Sequence, residues 1–285
     1  MVLIGLSGVK EVAVSAAQGW LNDRALSLGA AIAFYTLFAL APMLLTAVAV
    51  AGLVFGQEAA QGALVGELGG LLGPRGAEAL EAMLANTRDT GSGIIATIVG
   101  TVTFLVLMTG AFVQLQDALN LIWKAPPARH WGLALARSRL MSFAFVIGIG
   151  FLLLVSLVID AGLTAVGTYL GEKLPGWSLV LFAFNSLLAL ASASAMFTAI
   201  FKVLPDVPVA WHDAWVGGLL TGLMFTLGKF LIAFYIGSSG VASTYGAAGS
   251  IVTILLWIYY SSQIVLFGAE VTKAYAGVRG DADTR

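Results

Sequence analysis

The sequence contains no cysteine among its 285 residues. Disulfide bonds, zinc sites with thiolate ligands and cysteine nucleophiles are therefore excluded. Charged residues are also scarce, because Asp, Glu, Lys and Arg together make up only 10% of the chain. A soluble domain carries roughly 25% charged residues, so this chain has too few of them to cover a surface that faces water.

Several catalytic and targeting motifs are missing as well. The sequence has no glycine-rich phosphate loop, no metalloprotease or serine-elbow motif and no carboxylate cluster for two metal ions. The formal net charge is −1, so there is no overall basic field that would attract nucleic acid. The N-terminal residues lack the features of a cleaved signal peptide. His130 and His212, two separated histidines, are weak evidence for a metal site. We therefore expect no enzymatic activity, no metal, no cofactor and no nucleic-acid partner.

Long hydrophobic runs dominate what is present. The chain is 59% hydrophobic and contains 34 glycines, and its mean hydropathy is +0.96. A helix crosses the hydrocarbon with about 20 apolar residues, and six runs are long enough: residues 28–55, 93–123, 140–163, 179–203, 214–236 and 247–275. The ten-residue alternation of a membrane barrel is missing from them. We predict one all-α, polytopic membrane domain over residues 1–285, with six transmembrane helices.

Lysine and arginine are distributed unevenly between the predicted loops. Ten of them fall on the side that holds both termini, and only Arg75, Arg88 and Lys173 fall on the other. Basic loops stay on the cytoplasmic side of a membrane. Both termini are therefore predicted to be cytoplasmic.

Two segments lie outside the predicted spans. Residues 8–26 alternate apolar and polar side chains around Trp20, a pattern typical of a helix in the membrane interface; a lead-in to the first span fits equally well. Residues 57–90 alternate acidic residues with leucines, and Pro74 follows a glycine at a position that favours the start of a helix. We predict that this external segment forms two short amphipathic helices.

A polar stripe ends the second predicted span, in the sequence QLQDALNLIWK. Gln114, Gln116, Asp117 and Asn120 fall within an arc of roughly 160° on a helical wheel. The sixth span offers a counterpart within about 80°, formed by Tyr259, Gln263, Glu270 and Lys273. Glu270 and Lys273 are three residues apart and so are expected to pair. The stripes predict a polar, substrate-binding cavity between the two spans, although interfacial side chains that reach the headgroups remain an alternative.

A second polar group is predicted near the opposite side of the membrane. Ionisable residues inside spans are costly and so mark functional positions by default. Lys229 is expected to pair with Asp160, near Asn185, as a gate or as a structural ion pair. Pro42 removes a backbone hydrogen bond and is expected to bend the first span. Gly218 and Gly222 in the fifth span have the spacing that permits close helix approach.

Four stretches resemble one known family. AIAFYTLFALAPMLL, GLLGPRGAEALEAML, GAFVQLQDALNLIWK and YGAAGSIVTILLWIYYSSQIVLFGAEVTKAYA are similar to segments of the YihY/BrkB family of bacterial inner-membrane proteins, in the same order. The resemblance covers residues from about Trp20 to Tyr275. It implies six spans with cytoplasmic termini in the inner membrane. The ribonuclease label once attached to the family has no counterpart in these residues, because they offer no metal site and no groove for tRNA.

Three hypotheses about function follow from these features. The first is a transporter or a protein that handles lipids or amphiphiles, with membrane lipids as partners and with homo-oligomers allowed. The second is a non-transporting scaffold for envelope integrity, in which the external segment 57–90 is the working surface. The third is a membrane-embedded enzyme, for which Asp117 with Glu270 is the one titratable pair that we identify. We favour the first hypothesis.

Overall fold

The computed structural model describes residues 6–72, 77–78, 81–82, 94–126, 177–238 and 249–283. These ranges contain seven helices that can be followed from end to end, and they contain no strand: α1 (Leu6–Asn22), α2 (Ala25–Phe55), α3 (Gln57–Leu72), α4 (Ile94–Ile122), α5 (Trp177–Val203), α6 (Trp211–Ser238) and α7 (Gly249–Asp283). The prediction of an all-α fold is confirmed for this part of the chain.

Three of these helices are long and apolar enough to cross a membrane. The qualifying segments are Ala183–Val203 in α5, Trp211–Ile232 in α6 and Ile251–Gly280 in α7. A fourth span is counted if Gly8–Asn22 and Ala25–Leu40, which meet at an angle of 65°, are taken together. The described residues therefore support three or four spans. Six spans and cytoplasmic termini stay predictions, and the predicted third span, residues 140–163, lies outside the described residues.

The break between α1 and α2 has a local backbone cause. Arg24 adopts a left-handed conformation with φ of 54° and ψ of 41°, which cannot continue a right-handed helix. Helix α2 restarts immediately, because the Arg24 carbonyl accepts hydrogen bonds from the Ser27 and Leu28 nitrogens at 2.9 and 3.1 Å. The predicted interfacial segment 8–26 is thus divided between two helices.

A glycine makes the turn from α2 into α3. Gly56 has φ of 86°, and its N–H donates to the Gly52 carbonyl at 3.0 Å. A residue with a Cβ rarely adopts this conformation. Helix α3 falls in the predicted external segment and has Glu58 exposed in its first turn. Residues 73–76, which include Pro74, lie outside the described residues.

The chain divides into two compact units. The first unit consists of Met1–Ala17, Ile122–Thr226 and Gly268–Arg285, and the second consists of Gln18–Leu121 and Leu227–Phe267. In the second unit, Ala33 of α2 packs with Ile254 and Ile258 of α7 in a small core of buried side chains. Leu37, Leu40, Leu255, Trp257 and Tyr259 pack around that core.

In the first unit, α6 and α7 are joined through glycines and threonines. Gly217 faces Thr272, and Gly268 faces Thr221, so each helix offers a glycine to a threonine of the other. The Thr221 and Thr272 hydroxyls donate within their own helices, to the Gly217 and Gly268 carbonyls at 2.6 and 2.7 Å. The buried hydroxyls are therefore satisfied while the backbones approach closely, as is common for helices in lipid.

Candidate functional site

Glu270 is the most deeply buried charged residue of the predicted site. Its side chain is almost inaccessible to solvent in α7, and its Oε2 lies 3.6 Å from the Lys273 Nζ one turn later. The pairing of Glu270 with Lys273 that the three-residue spacing predicts is present. Glu270 is nevertheless buried, whereas such pairs usually lie on an exposed helix surface. A carboxylate at such a position is costly unless a cation compensates its charge.

A second buried carboxylate lies at the start of α6. Asp213 belongs to the first helical turn, where the positive end of the helix dipole stabilises an acidic side chain. The Arg279 Nη2 near the end of α7 donates to its Oδ2 at 3.2 Å. The contact joins residues 66 positions apart in the sequence. This ion pair ties the first turn of α6 to the last turns of α7.

Aromatic residues surround the Asp213–Arg279 pair. The His212 Nδ1 lies 3.7 Å from the Asp213 Oδ1, and the imidazole stacks on the Tyr275 ring of α7 with centroids 5.6 Å apart. Lys202, at the end of α5, donates to the Val209 carbonyl and places its Nζ 5.4 Å from the centre of the Trp211 ring. The polar groups at this end of the first unit therefore come from three helices.

Gln263 is in contact with α2. Its Nε2 donates to the Ala25 carbonyl at 3.3 Å, and its amide carbon lies 3.0 Å from the point that a Cβ on Gly29 would occupy. Its Oε1 is buried and has no hydrogen-bond partner among the residues that the structure describes. Buried acceptors of this kind are normally paired with a protein group, with water or with a bound molecule.

The predicted α4 stripe lies in the second unit together with Gln263 and Tyr259. Asp117 is exposed, whereas Gln114 and Asn120 are partly buried and the adjacent Ala118 and Leu119 are fully buried. The helix therefore packs through its apolar side and leaves Asp117 accessible. Tyr259 packs against the small core formed by α2 and α7. Glu270 belongs to the first unit. A substrate-binding role stays a prediction for all six residues of the predicted cavity: Gln114, Asp117, Asn120, Tyr259, Gln263 and Glu270.

The predicted gate is described only in part. Lys229 is partly buried in α6, with its Nζ 5.1 Å from the centre of the Phe230 ring, and Asn185 is exposed in α5. Asp160 lies outside the described residues, so the pairing stays a prediction. Helix α2 continues through Pro42 to Phe55.

Sequence reasoning missed the Asp213–Arg279 pair. The stretch Trp211-His-Asp-Ala-Trp215 is typical of an interfacial aromatic belt, and this pattern does not distinguish Asp213 from its aromatic neighbours. The available signal was the position of an acidic residue in the first turn of a long apolar helix. Arg279, in a polar tail, offered no comparable signal.

Comparisons with known proteins match almost the whole chain. A family profile described as Virulence factor BrkB matches residues 16–285. A UPF0761 membrane protein of Verminephrobacter eiseniae is 32% identical over 247 residues, which are 85% of this chain and 56% of the relative. A UPF0761 membrane protein of Rhodospirillum centenum is 30% identical over 262 residues, or 88% and 54% of the two chains.

A third relative, a UPF0761 membrane protein of Pseudomonas paraeruginosa, is 28% identical over 257 residues, which are 89% of this chain and 60% of the relative. The chain thus spans between 54% and 60% of the length of these curated relatives. No solved structure matches the chain.

Proposed function

The chain belongs to the BrkB virulence-factor family, whose curated relatives are named as membrane proteins, and from this premise we propose that it transports or otherwise handles a lipid or another amphiphile. In this proposal the protein lies in the inner membrane of a bacterium. The substrate binds through polar side chains of α4 and α7, and no enzymatic step is involved.

The observation that carries the proposal is the burial of Glu270. This carboxylate lies in the apolar segment Ile251–Gly280, which is long enough to cross a membrane, and only 2% of its side chain is exposed. Ionisable groups inside such segments are rare and mark substrate or ion pathways by default. The cation at Lys273 compensates the charge without removing the cost of placing both groups there.

Two further features support a polar substrate group. Asp117 is exposed in the polar stripe of α4, where a cationic or hydroxylated headgroup can reach it. Gln263 contributes a buried acceptor, Oε1, that has no donor among the described residues. An amphiphile supplies both a polar group for these atoms and apolar chains for the surrounding helices.

The scaffold hypothesis is the second candidate. It is favoured by the close packing of glycines against threonines between α6 and α7. An interface in which each helix offers a glycine to a threonine of the other is tightly packed. Tight packing makes an interface rigid, and a scaffold requires rigidity. In that case Glu270 and Lys273 would serve only to hold α7 in place, and no substrate would bind at Asp117 or Gln263.

The two candidates are separated by reconstituting the purified protein into liposomes that contain a fluorescent phospholipid. Dithionite, which does not cross the bilayer, reports the fraction of lipid that reaches the outer leaflet. We expect lipid movement with the wild type and at least a tenfold lower rate with Glu270→Gln or Asp117→Asn. Glu11→Gln and Asp206→Asn make the same chemical changes at exposed positions and should leave the rate unchanged.

Native mass spectrometry of the detergent-purified protein completes the test. A phospholipid or lipid precursor that is retained by the wild type and lost from Asp117→Asn locates the binding site. If the wild type moves no lipid and retains none, the lipid-handling proposal is wrong and the scaffold is favoured. Deleting residues 57–90 should then be more harmful to the cell than neutralising Asp117.

A further inference from the structure

The elbow, formed by residues 22–25 where α1 meets α2, is not imposed by the local sequence. Residues 20–28 contain neither glycine nor proline, which cause many of the sharp bends in helices. Arg24 nevertheless has a left-handed conformation, which is unfavourable for a residue with a Cβ, and α2 begins there without a side-chain cap. A strained residue of this kind persists only where the surrounding structure holds it. The stabilising contacts are therefore expected to come from another helix.

Gln263 of α7 supplies such a contact. Its Nε2 donates to the carbonyl of Ala25, the residue directly after the strained Arg24, at 3.3 Å. Ala25 is fully buried. Gly29, one turn later, leaves room for the amide, because a Cβ there would lie 3.0 Å from the amide carbon. These four residues belong to the second unit. Gln263 therefore fixes the first turn of α2 beside the elbow.

The other end of the same amide is available to a ligand. The Gln263 Oε1 is buried, and no residue that the structure describes donates a hydrogen bond to it. A donor that binds Oε1 keeps Nε2 directed at the Ala25 carbonyl, because the opposite orientation of the amide would place two acceptor oxygens against each other. The donor also polarises the amide and so strengthens the hydrogen bond that Nε2 donates. Occupation of Oε1 therefore favours the bent elbow.

We propose that Gln263 couples ligand binding to the angle between α1 and α2. A headgroup that donates a hydrogen bond to Oε1 holds the elbow bent, and without it the elbow relaxes toward a straighter form. This inference rests on the proposed function, because its ligand is the lipid or amphiphile handled there, and it narrows that ligand to headgroups with N–H or O–H donors. The coupling is reciprocal, so straightening the elbow weakens ligand binding by the same factor.

Spin labels measure the angle of the elbow, and the absence of cysteine from the chain makes them simple to introduce. Val9→Cys and Phe38→Cys place one label on α1 and one on α2, both at exposed positions. A single straight helix through both positions would separate their Cα atoms by about 43 Å, and a bend shortens this distance. Pulsed electron paramagnetic resonance therefore reports the ratio of bent to straightened molecules.

The ligand is tested by titrating the labelled, detergent-purified protein with phosphatidylethanolamine or with phosphatidylcholine of the same acyl chains. Both headgroups are zwitterionic, but only the ammonium of ethanolamine carries N–H donors. We expect phosphatidylethanolamine to raise the ratio of bent to straightened molecules at least about fivefold, and phosphatidylcholine to leave it unchanged. Gln263→Leu should lower the ratio and remove the response. Gln18→Leu makes the same change at an exposed position of α1 and should behave like the wild type.

Two glycine substitutions leave Gln263 in place, so they keep the proposal testable if Gln263→Leu folds poorly. Arg24→Gly relieves the left-handed strain and should raise the ratio of bent to straightened molecules about fivefold without added lipid. Gly29→Ala crowds the amide and should lower the ratio. Gly62→Ala is the matched control for Gly29→Ala, because nothing lies within 4 Å of a Cβ at that position, and it should leave the ratio unchanged.

The outcomes separate this proposal from the transport function. Equal responses to the two lipids overturn the coupling, and so does a response to phosphatidylethanolamine that survives Gln263→Leu. If Gln263→Leu stops lipid movement but leaves the distance between the labels unchanged, the coupling is wrong and the transport proposal stands. Loss of lipid movement with an intact response to phosphatidylethanolamine would affect the transport proposal alone.

Discussion

Gly218 of α6 lies directly against the backbone of Thr198 in α5. A Cβ on Gly218 would come within 2.7 Å of the Thr198 nitrogen and 2.8 Å of its Cα. One turn along, Gly222 faces Ser194 in the same manner, with the Ser194 nitrogen 3.0 Å from the position of a Cβ. The neighbouring atoms are backbone, which cannot rotate away as the end of a long side chain does. The two helices can therefore approach this closely only because both positions are glycine.

Gly218→Ala should consequently destabilise the protein by about 1–3 kcal/mol, the usual cost of forcing extra atoms into a packed interior. The measurement is thermal or denaturant unfolding in detergent, followed by circular dichroism. Gly277→Ala is the matched control, because it makes the same change in α7 where nothing lies within 4 Å. Alanine is favoured over glycine inside a helix by about 0.5–1 kcal/mol, so the control should be neutral or slightly stabilising. Equal effects of the two substitutions would contradict close packing at Gly218.

The close approach of α6 could be predicted from the sequence, whereas its partner helices could not. Gly218 and Gly222 recur at the spacing that places small residues on one helix face, and this local pattern indicated a tight interface. Their partners, Thr198 and Ser194, lie in another helix, and their identity depends on the relative shift and rotation of the two helices. Neither quantity is encoded in the pattern of a single helix.

A similar distinction applies to the charged residues. The pair of Glu270 with Lys273 follows from helical geometry alone, because residues three apart are neighbours on a helix. Asp213 and Arg279 are brought together by the packing of α6 against α7, so no local pattern predicts their pairing. The periodicity also does not predict which of these side chains are buried, since the apolar residues of a membrane helix are spread around the whole helix.

The Asp213–Arg279 pair should respond unequally to the loss of its two members. Arg279→Gln leaves a buried carboxylate without its closest cation, whereas Asp213→Asn leaves a guanidinium that is one-third exposed to solvent. Because an uncompensated buried charge is the costlier defect, we expect Arg279→Gln to lower the unfolding free energy by about 2 kcal/mol and Asp213→Asn by about half as much. Unfolding in detergent measures both. The opposite order would show that Asp213 is compensated by other groups.

Substitutions of Glu270 and Lys273 should affect different properties of the protein, namely lipid movement and stability. Lys273→Gln leaves the buried Glu270 without the cation 3.6 Å away and should lower stability by about 1–3 kcal/mol. Glu270→Gln keeps the shape of the side chain and removes its charge, so the variant should fold normally. Under the proposed function it should nevertheless lose at least tenfold in lipid movement. A Glu270→Gln variant with the wild-type rate and stability would leave the carboxylate without a role in transport.

Gly29 differs from Gly218 in the group that it faces. A Cβ there would overlap the amide end of Gln263, which is flexible, rather than a backbone. We therefore expect Gly29→Ala to cost less than Gly218→Ala, under about 1.5 kcal/mol, and to displace the amide from the Ala25 carbonyl. The Gly29→Ala/Gln263→Ala double variant should recover most of that loss. If the double variant is no better than Gly29→Ala alone, the cost arises elsewhere in α2.

The predicted pairing of Lys229 with Asp160 can be tested by exchanging their charges. Its ammonium lies beside the Phe230 ring in a partly buried part of α6, and a cation within a span normally requires an acidic partner. If Asp160 is that partner, Lys229→Asp and Asp160→Lys should each lower the yield of folded protein, and the double exchange should restore it. Lys229→Asp combined with Asp206→Lys is the control, because it restores the net charge at a position in the connection between α5 and α6. Rescue by the control as well as by the Asp160 exchange would reveal a dependence on overall charge rather than on a specific pair.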